Sequence, residues 1–505
     1  MESHENHPSR RAGIFRRFFH WLFSWRTIRR ALIALVGVVT LIAVFWTEEN
    51  WRGKHEWEKY KREWGAKGER FDFADFVPKP IPDEENFFKA AIWEPTFDGE
   101  WDPKTGDWKR RNTNVVDVLE MTVYAQPGPK PPQRGGDWEK GTLTDLKVWQ
   151  EYYRKAAGFT NFFAVPSQPQ TPAADVLLAL SRYNSAIESL RRASERPGSR
   201  PPLDYSNPLA TASAQLPFFR EMKGCIQVLQ LRAISELSAG ENAAAFEDVK
   251  LMLRLTDSLQ KQPTLIAQLV TMALWNFAIQ PIYEGIARHQ WNDAQLVELD
   301  SELSRFDFLA NYEFIMRGER AFSIAMIGYI QQQYRLNPFY PRYRLANAQM
   351  FQRWILPAAD LKQRTMSPRK TRDLQKSEAT EWKKTTLYNM LAKINFSALS
   401  KAQVRFAKSQ SSVDLTRTAC TLERYRLKHG NYPESLDALA PQFMTKLPHD
   451  IINGEPLRYH RADGNHYTLY SIGWDEKDDN GTVAKKKPGR MELEKGDWVW
   501  QIPAK

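Results

Sequence analysis

Three rhythms of hydrophobic and polar positions run along this chain. The first is an unbroken apolar run, Ala31–Trp46 (ALIALVGVVTLIAVFW), with no charge in it. As a helix it would span about 24 Å at 1.5 Å per residue, a little short of a hydrocarbon core of roughly 30 Å. Its flanks carry Arg29 and Arg30, which can snorkel, and Trp21, Trp25, Trp46 and Trp51, which suit an interfacial belt. The second rhythm is helical and fills Leu143 to about Gln333. Thr171-Pro172 opens a helix with proline in the first turn, Leu177, Leu178, Leu180, Ile187 and Leu190 follow, and Arg196-Pro197-Gly198 stops the pattern. Further helices are predicted after Asn207-Pro208, on both sides of Gly240, and on both sides of Arg288–Trp291, giving an antiparallel helical array with no clean repeat period.

The third rhythm changes period. Leu415, Ala419, Leu422 and Tyr425 share one face of a long helix expected over Phe396–His429, with Gly430 as its cap. Two alternating runs, Pro456–Arg461 and His466–Ile472, flank Ala462-Asp463-Gly464-Asn465, a strong hairpin signal, and Asp497–Ile502 alternates as a closing strand. The fold class expected is therefore α+β and mainly α. It comprises a single N-terminal transmembrane helix, a helical array, and a C-terminal long helix with a small antiparallel sheet.

The segments between these rhythms differ in character. Residues 48–70 are densely charged and read as a solvated stalk helix. Residues 71–142 are rich in Pro, Gly and Trp and read as an extended arm whose aromatics pack on another part of the chain. Residues 336–395 hold four prolines and a basic excess and read as a solvated connector between the array (143–335) and the C-terminal domain (396–505).

Charge sets the expected orientation. Residues 1–30 hold seven arginines against Glu2 and Glu5, while the whole 505-residue chain is +11. The positive-inside rule leaves residues 1–30 in the cytoplasm, 31–47 in the membrane and the bulk outside. Phe15–Arg30 mixes arginine with aromatics and suits the inner leaflet, so membrane lipid is the partner expected for residues 15–51. Because the membrane accounts for this excess, no nucleic-acid partner is expected. A cleaved signal peptide is the rival reading, but Phe45-Trp46-Thr47-Glu48-Glu49 offers no small-x-small site. A buried core helix is the other, and it would have to be buried beside Arg29 and Arg30.

Chemistry is sparse. Cys225 and Cys420 lie too far apart for any C-x-x-C motif, and read as small buried residues, with a disulfide left open by an extracytoplasmic setting. The phosphate-binding, dinucleotide, nucleophile-elbow and zinc-protease motifs do not occur. Ser367-Pro368-Arg369-Lys370 and Lys104-Thr105-Gly106 match fragments of penicillin-binding enzymes in the wrong order. His429, His449, His460 and His466 have no helical ligand spacing.

The order of C-terminal signals is more telling than each alone. Tyr425-Arg426-Leu427, Gly430-Asn431-Tyr432-Pro433, Leu436 to Leu439, Asp450 with Gly454, and Tyr470-Ser471-Ile472-Gly473-Trp474-Asp475 follow one another. This series resembles the globular domain of the major pseudopilin of type II secretion systems, over residues 396–481. The resemblance implies a calcium-binding closing loop, to which Asp475, Asp478 and Asp479 would contribute oxygen ligands. The chain departs from that family in having no prepilin cleavage motif or membrane helix just before Phe396. As a whole it is similar to large membrane-anchored envelope proteins of planctomycete and verrucomicrobial bacteria, whose Pro-rich segment resembles Phe73–Phe88 (FADFVPKPIPDEENFF). That implies a cell-envelope location.

The function expected is a non-enzymatic, single-pass envelope protein whose array and head bind extracytoplasmic protein partners. Two alternatives stand: a component of secretion or pilus assembly, and a membrane-anchored hydrolase. For the latter, Asp293, Glu298, Asp300 and Glu302 are the densest acidic group in the array and read as helix-surface charges.

Overall fold

The structure is a computed structural model and describes residues 21, 23–102, 104–105, 107–112, 117–132, 135–334, 337–484 and 492–502. Most of the basic segment expected along the inner leaflet, residues 1–20 and 22, therefore lies outside the described residues.

The chain opens with one helix of 41 residues, α1 (Trp25–Gly65), capped by the Ser24 hydroxyl. Its apolar half is exposed along its length, and it is apolar enough to span a membrane. Thr40 and Thr47 in that half donate to their own helix, to the carbonyls of Val36 and Ala43 at 2.8 and 2.7 Å. No polar group there asks for water. The charged half, expected as a free stalk, instead packs on the body. Gly53, Trp57, Tyr60 and Trp64 fall on one stripe at helical spacing, hidden in the sequence by the charges between them. A Cβ on Gly53 would meet Pro341 Cβ at 3.2 Å, so glycine is what lets the two backbones approach.

The arm follows as a string of short 3₁₀ turns, one helical turn α2 (Glu94–Phe97), and a hairpin of β1 (Gly99–Asp102) and β2 (Asp107–Arg110). Its aromatics are anchors: Phe87, Phe88 and Trp93 are fully buried and stack edge-on with one another, and Phe88 also meets Phe218 of the array.

Helices α3 (Leu146–Ala156), α4 (Pro172–Leu180), α5 (Asn184–Ser194), α6 (Pro208–Ala239), α7 (Asn242–Asp257), α8 (Leu265–Ala287), α9 (Asp293–Leu303) and α10 (Phe308–Gln333) form the array. Asn207 caps α6 through the N–H groups of Leu209 and Ala210, and Gly240 ends it with φ of 82°. α6, α7 and α8 pack on one another, and α8 is buried on almost every side.

The stretch after α10, expected as a solvated connector, is built into the core. It holds α11 (Tyr340–Met350), a π turn at Phe351–Ile355 and α12 (Pro368–Glu381), and it buries Tyr340, Tyr343, Phe351, Trp354 and Ile355. Most of its basic residues stand on the outer face, which is why the stretch read as polar, while Arg342 and Arg344 turn to α1 and α10. α13 (Met390–His429) then runs 40 residues to Gly430, whose φ is 81°. It packs on α8, α9, α10 and α11, and near its other end on an antiparallel sheet ordered β3-β4-β5 (Arg458–Arg461, Tyr467–Ser471, Trp498–Ile502). Arg458 pairs with Tyr470 and Tyr467 with Ile502. One hydrophobic core runs through arm, array and sheet, with α13 as the shared pillar.

Candidate functional site

A cleft of about 710 Å³ opens between α6, α8, α13 and the last part of the arm. Each wall is a helix face seen at its own period. Lys223, Gln227 and Gln230 come from α6 at i, i+4, i+7. Asn276 and Gln280 come from α8, and Arg405, Lys408, Ser409 and Ser412 from α13. The opposite faces of these helices carry the core, so the polar stripe is held on rigid elements.

The Gln280 amide is the centre of the contacts by which the arm closes the cleft. Gln280 accepts from the Trp138 N–H at 2.9 Å and donates to the Thr142 carbonyl at 3.1 Å and to Glu284 at 3.0 Å. Gly136 sits so close that a Cβ would lie 2.3 Å from the Gln280 amide nitrogen. Glu284 in turn accepts from the Thr144 N–H at 2.9 Å; burial pushes its carboxyl up, and these hydrogen bonds draw it partly back. Lys408 reaches across to Glu139 at 2.6 Å, and Lys140 to Asp137 at 3.0 Å. On the floor the Trp275 indole donates to Ser412 at 2.8 Å, and Ser412 donates to the Ser409 carbonyl at 2.7 Å.

These pairings leave a remainder. Among the described residues, Lys223, Gln227, Asn276 and Arg405 make no side-chain hydrogen bond or ion pair within the chain. The carboxylates of the cleft are already matched by lysines, so Lys223 and Arg405 leave it positively charged. Two cations and two amides, presented without partners on rigid helices, have the chemistry to meet a polar, acidic ligand.

The residues singled out from the sequence lie elsewhere. Asp475 accepts from the Gly496 N–H at 3.1 Å, and Asp478 accepts from the Tyr470 hydroxyl and the Asn480 N–H, both at 3.0 Å. Asp479 gives its backbone N–H to Asp497, which also holds the Gly481 N–H at 2.7 Å. Asp497, just before β5, thus closes the acidic loop from the strand paired with β4. Burial pushes its carboxyl up to about 6, and Asp478 and Asp479 add to that. Among the described residues no three acidic, histidine or cysteine side chains gather round one point, so Asp475, Asp478 and Asp479 share a loop without forming a ligand cage.

The acidic group of α9 is accounted for by ion pairs. Asp293 meets Arg424 at 2.8 Å, Asp300 meets Arg417 at 2.7 Å, Glu298 meets Lys250 at 2.8 Å and Glu302 meets Arg305 at 3.2 Å. The first three tie α9 to α13 and α7, and the last is local. Cys225 and Cys420 are both buried free thiols, pushed up by burial. The histidines are scattered: His449 meets the Arg364 carbonyl, His466 meets Asp463, and His429 stacks on Tyr425.

Two buried networks escaped the sequence. Glu236 and Asp248 share Arg232, and Asp248 also pairs with Arg191; burial pushes both carboxyls up. Neither residue lines the cleft. Glu423 accepts from His289, Arg426 and Tyr432 at 3.0, 2.7 and 2.7 Å. Burial pushes its carboxyl up, but those three partners outweigh it and hold it below the ordinary range. This network joins the turn after α8 to the Gly-x-Tyr-Pro turn of the head. Only the Arg232–Glu236 and Glu423–Arg426 pairs have helical spacing; Arg191, Asp248 and His289 join from other elements, which no local spacing signals.

Compared with protein-family models, with curated proteins and with solved structures, the chain matches none.

Proposed function

We propose that this chain is a non-enzymatic, single-pass protein of a bacterial cell envelope. Its N-terminus lies in the cytoplasm, and its body binds an acidic segment of an extracytoplasmic protein partner in the cleft. The observation that carries the binding reading is the unpartnered set Lys223, Gln227, Asn276 and Arg405 on three rigid walls. Amide side chains match the N–H and C=O of an extended peptide, and the two cations favour acidic side chains on it. The apolar, exposed first half of α1 supports the anchor. A photoreactive residue at Gln227 of the full chain, in its native membrane, tests the reading. A discrete protein adduct is expected, and it should be lost with Lys223→Glu plus Arg405→Glu. No adduct, or one indifferent to those two changes, contradicts it.

The assembly-component alternative draws on one observation. A 40-residue helix carries a three-stranded antiparallel sheet near its C-terminal end, in the chain order of a pseudopilin head. Loss of secretion on deletion of the gene would favour it over the scaffold reading, and normal export would dispose of it.

A further inference from the structure

Three elements of the body share one end with the membrane helix. Phe45, in the last turn of the apolar run, meets Phe339 with ring centroids 6.4 Å apart, and Phe339 meets Tyr388 at 5.6 Å. α11 then follows α1 outward: Arg342 pairs with Glu49 and Glu56, and Leu345 packs against Trp57. α10 runs the opposite way. Arg320 holds Glu69 at 2.6 Å, Ile324 packs beside Trp57, and Ile327 packs beside Tyr340 and Tyr343. The end of α10 is therefore level with Phe45. α13 starts at this level and leaves it, since Phe406 and Gln410 lie against Tyr312 and Leu309, further back along α10.

This shared end is where the body leaves large apolar side chains uncovered. Tyr334 is 70% exposed, Leu387 61% and Ile394 64%, with Ile330, Tyr388 and Met390 also exposed. Monomeric surfaces seldom gather so many at one place without a partner. Lys383 and Lys384 stand exposed beside them, with no side-chain partner among the described residues. Aromatic and aliphatic side chains next to free lysines, in register with the end of a spanning helix, have the composition of a surface that lies in a lipid interface.

We infer that this end of the body is a second membrane contact, in which the end of α10 and residues 383–394 dip into the headgroup region beside α1. The inference rests on the anchor reading of α1. It also explains the rigid joint: Gly53 against Pro341 and Glu69 clamped by Arg317 and Arg320 hold the patch at the depth of Phe45.

The test uses the full chain in vesicles of phosphatidylcholine and phosphatidylglycerol, with or without nitroxide-labelled lipid. Both native cysteines are buried, so a fluorescent maleimide reports single introduced thiols. Leu387→Cys and Ile394→Cys probe the patch and Val38→Cys the anchor. Leu427→Cys is the distal control, about 55 Å along α13 from Met390. All four positions are exposed, and unchanged melting confirms folding. Quenching at 387 and 394 several-fold above that at 427 is expected. Strong quenching at 38 with 387 and 394 no different from 427 overturns the inference, leaving the patch to a protein partner. No quenching at 38 overturns the anchor reading and this inference with it.

Discussion

Among the described residues two helices are long and apolar enough to cross a bilayer, and they differ in what covers them. The best window of α1 has a mean hydropathy of 2.2 with none of it buried in the chain, and that of α8 has 1.4 with 67% buried. Their polar groups show the difference. In α1 the two threonines bond back to their own helix. In α8 Thr271 likewise bonds back to Ala267, but Trp275 donates to Ser412 of α13, and Gln280 and Glu284 hold the arm. No polar side chain in the apolar half of α1 reaches another element, whereas α8 sends an indole, an amide and a carboxylate to its neighbours. Apolarity alone does not separate them; the partners of the few polar atoms do.

The strongest way to break this contrast is to charge the two helices. Leu35→Arg with Val38→Arg places two guanidiniums at the centre of the apolar run, each costing about 3 kcal/mol of insertion. The carbonate-resistant membrane fraction should collapse while the body keeps its melting transition. Trp275→Ala in α8 should do the reverse. It removes a fully buried indole, costing about 3–5 kcal/mol in a chemical-denaturation series, with membrane association intact.

A smaller effect comes from the pillar that α8 leans on. Burial pushes Asp414 up to about 7, well above its unfolded value of about 3.9. The folded state then keeps a proton that the unfolded chain has lost. This contribution to stability is fully present below about pH 4 and fades as pH rises through about 7. Asp414→Asn keeps the acceptor for Gln410 and removes the ionisation, so at pH 8 it should stabilise by roughly 1–3 kcal/mol. The gain should vanish at pH 4, read as melting temperature against pH. The mildest change is Ser412→Ala, which deprives the Trp275 indole of its acceptor and should cost about 1 kcal/mol in the same melting assay.

Much of this was legible in the sequence where the signal is local. The apolar run, the Asn207 and Gly240 helix ends, and the Asp463-Gly464 hairpin depend on neighbours in the chain, and the helices and small sheet appear there. The long helix begins at Met390, six residues before the apolar pattern starts at Phe396, because its first turns are partly exposed at the end beside α1. What was not legible is assembled from afar. The cleft joins residues near 138, 227, 276 and 405, each of which reads alone as a helix-surface or turn residue. The acidic loop is closed by Asp497, some twenty residues on, which no loop-based reading of Asp475, Asp478 and Asp479 would include. The 336–395 stretch looked solvated because its lysines and arginines stand between the aromatics that it buries.

The most direct test of the contrast is hydrogen exchange of the full chain in lipid nanodiscs, read by mass spectrometry across a urea series. Peptides covering 31–46 and 265–287 should both be protected without urea. As urea rises, 265–287 should lose protection together with the rest of the body, while 31–46 keeps it, because lipid and not the fold covers it. Loss of both at the same urea concentration, or free exchange of 31–46 from the start, would contradict the account.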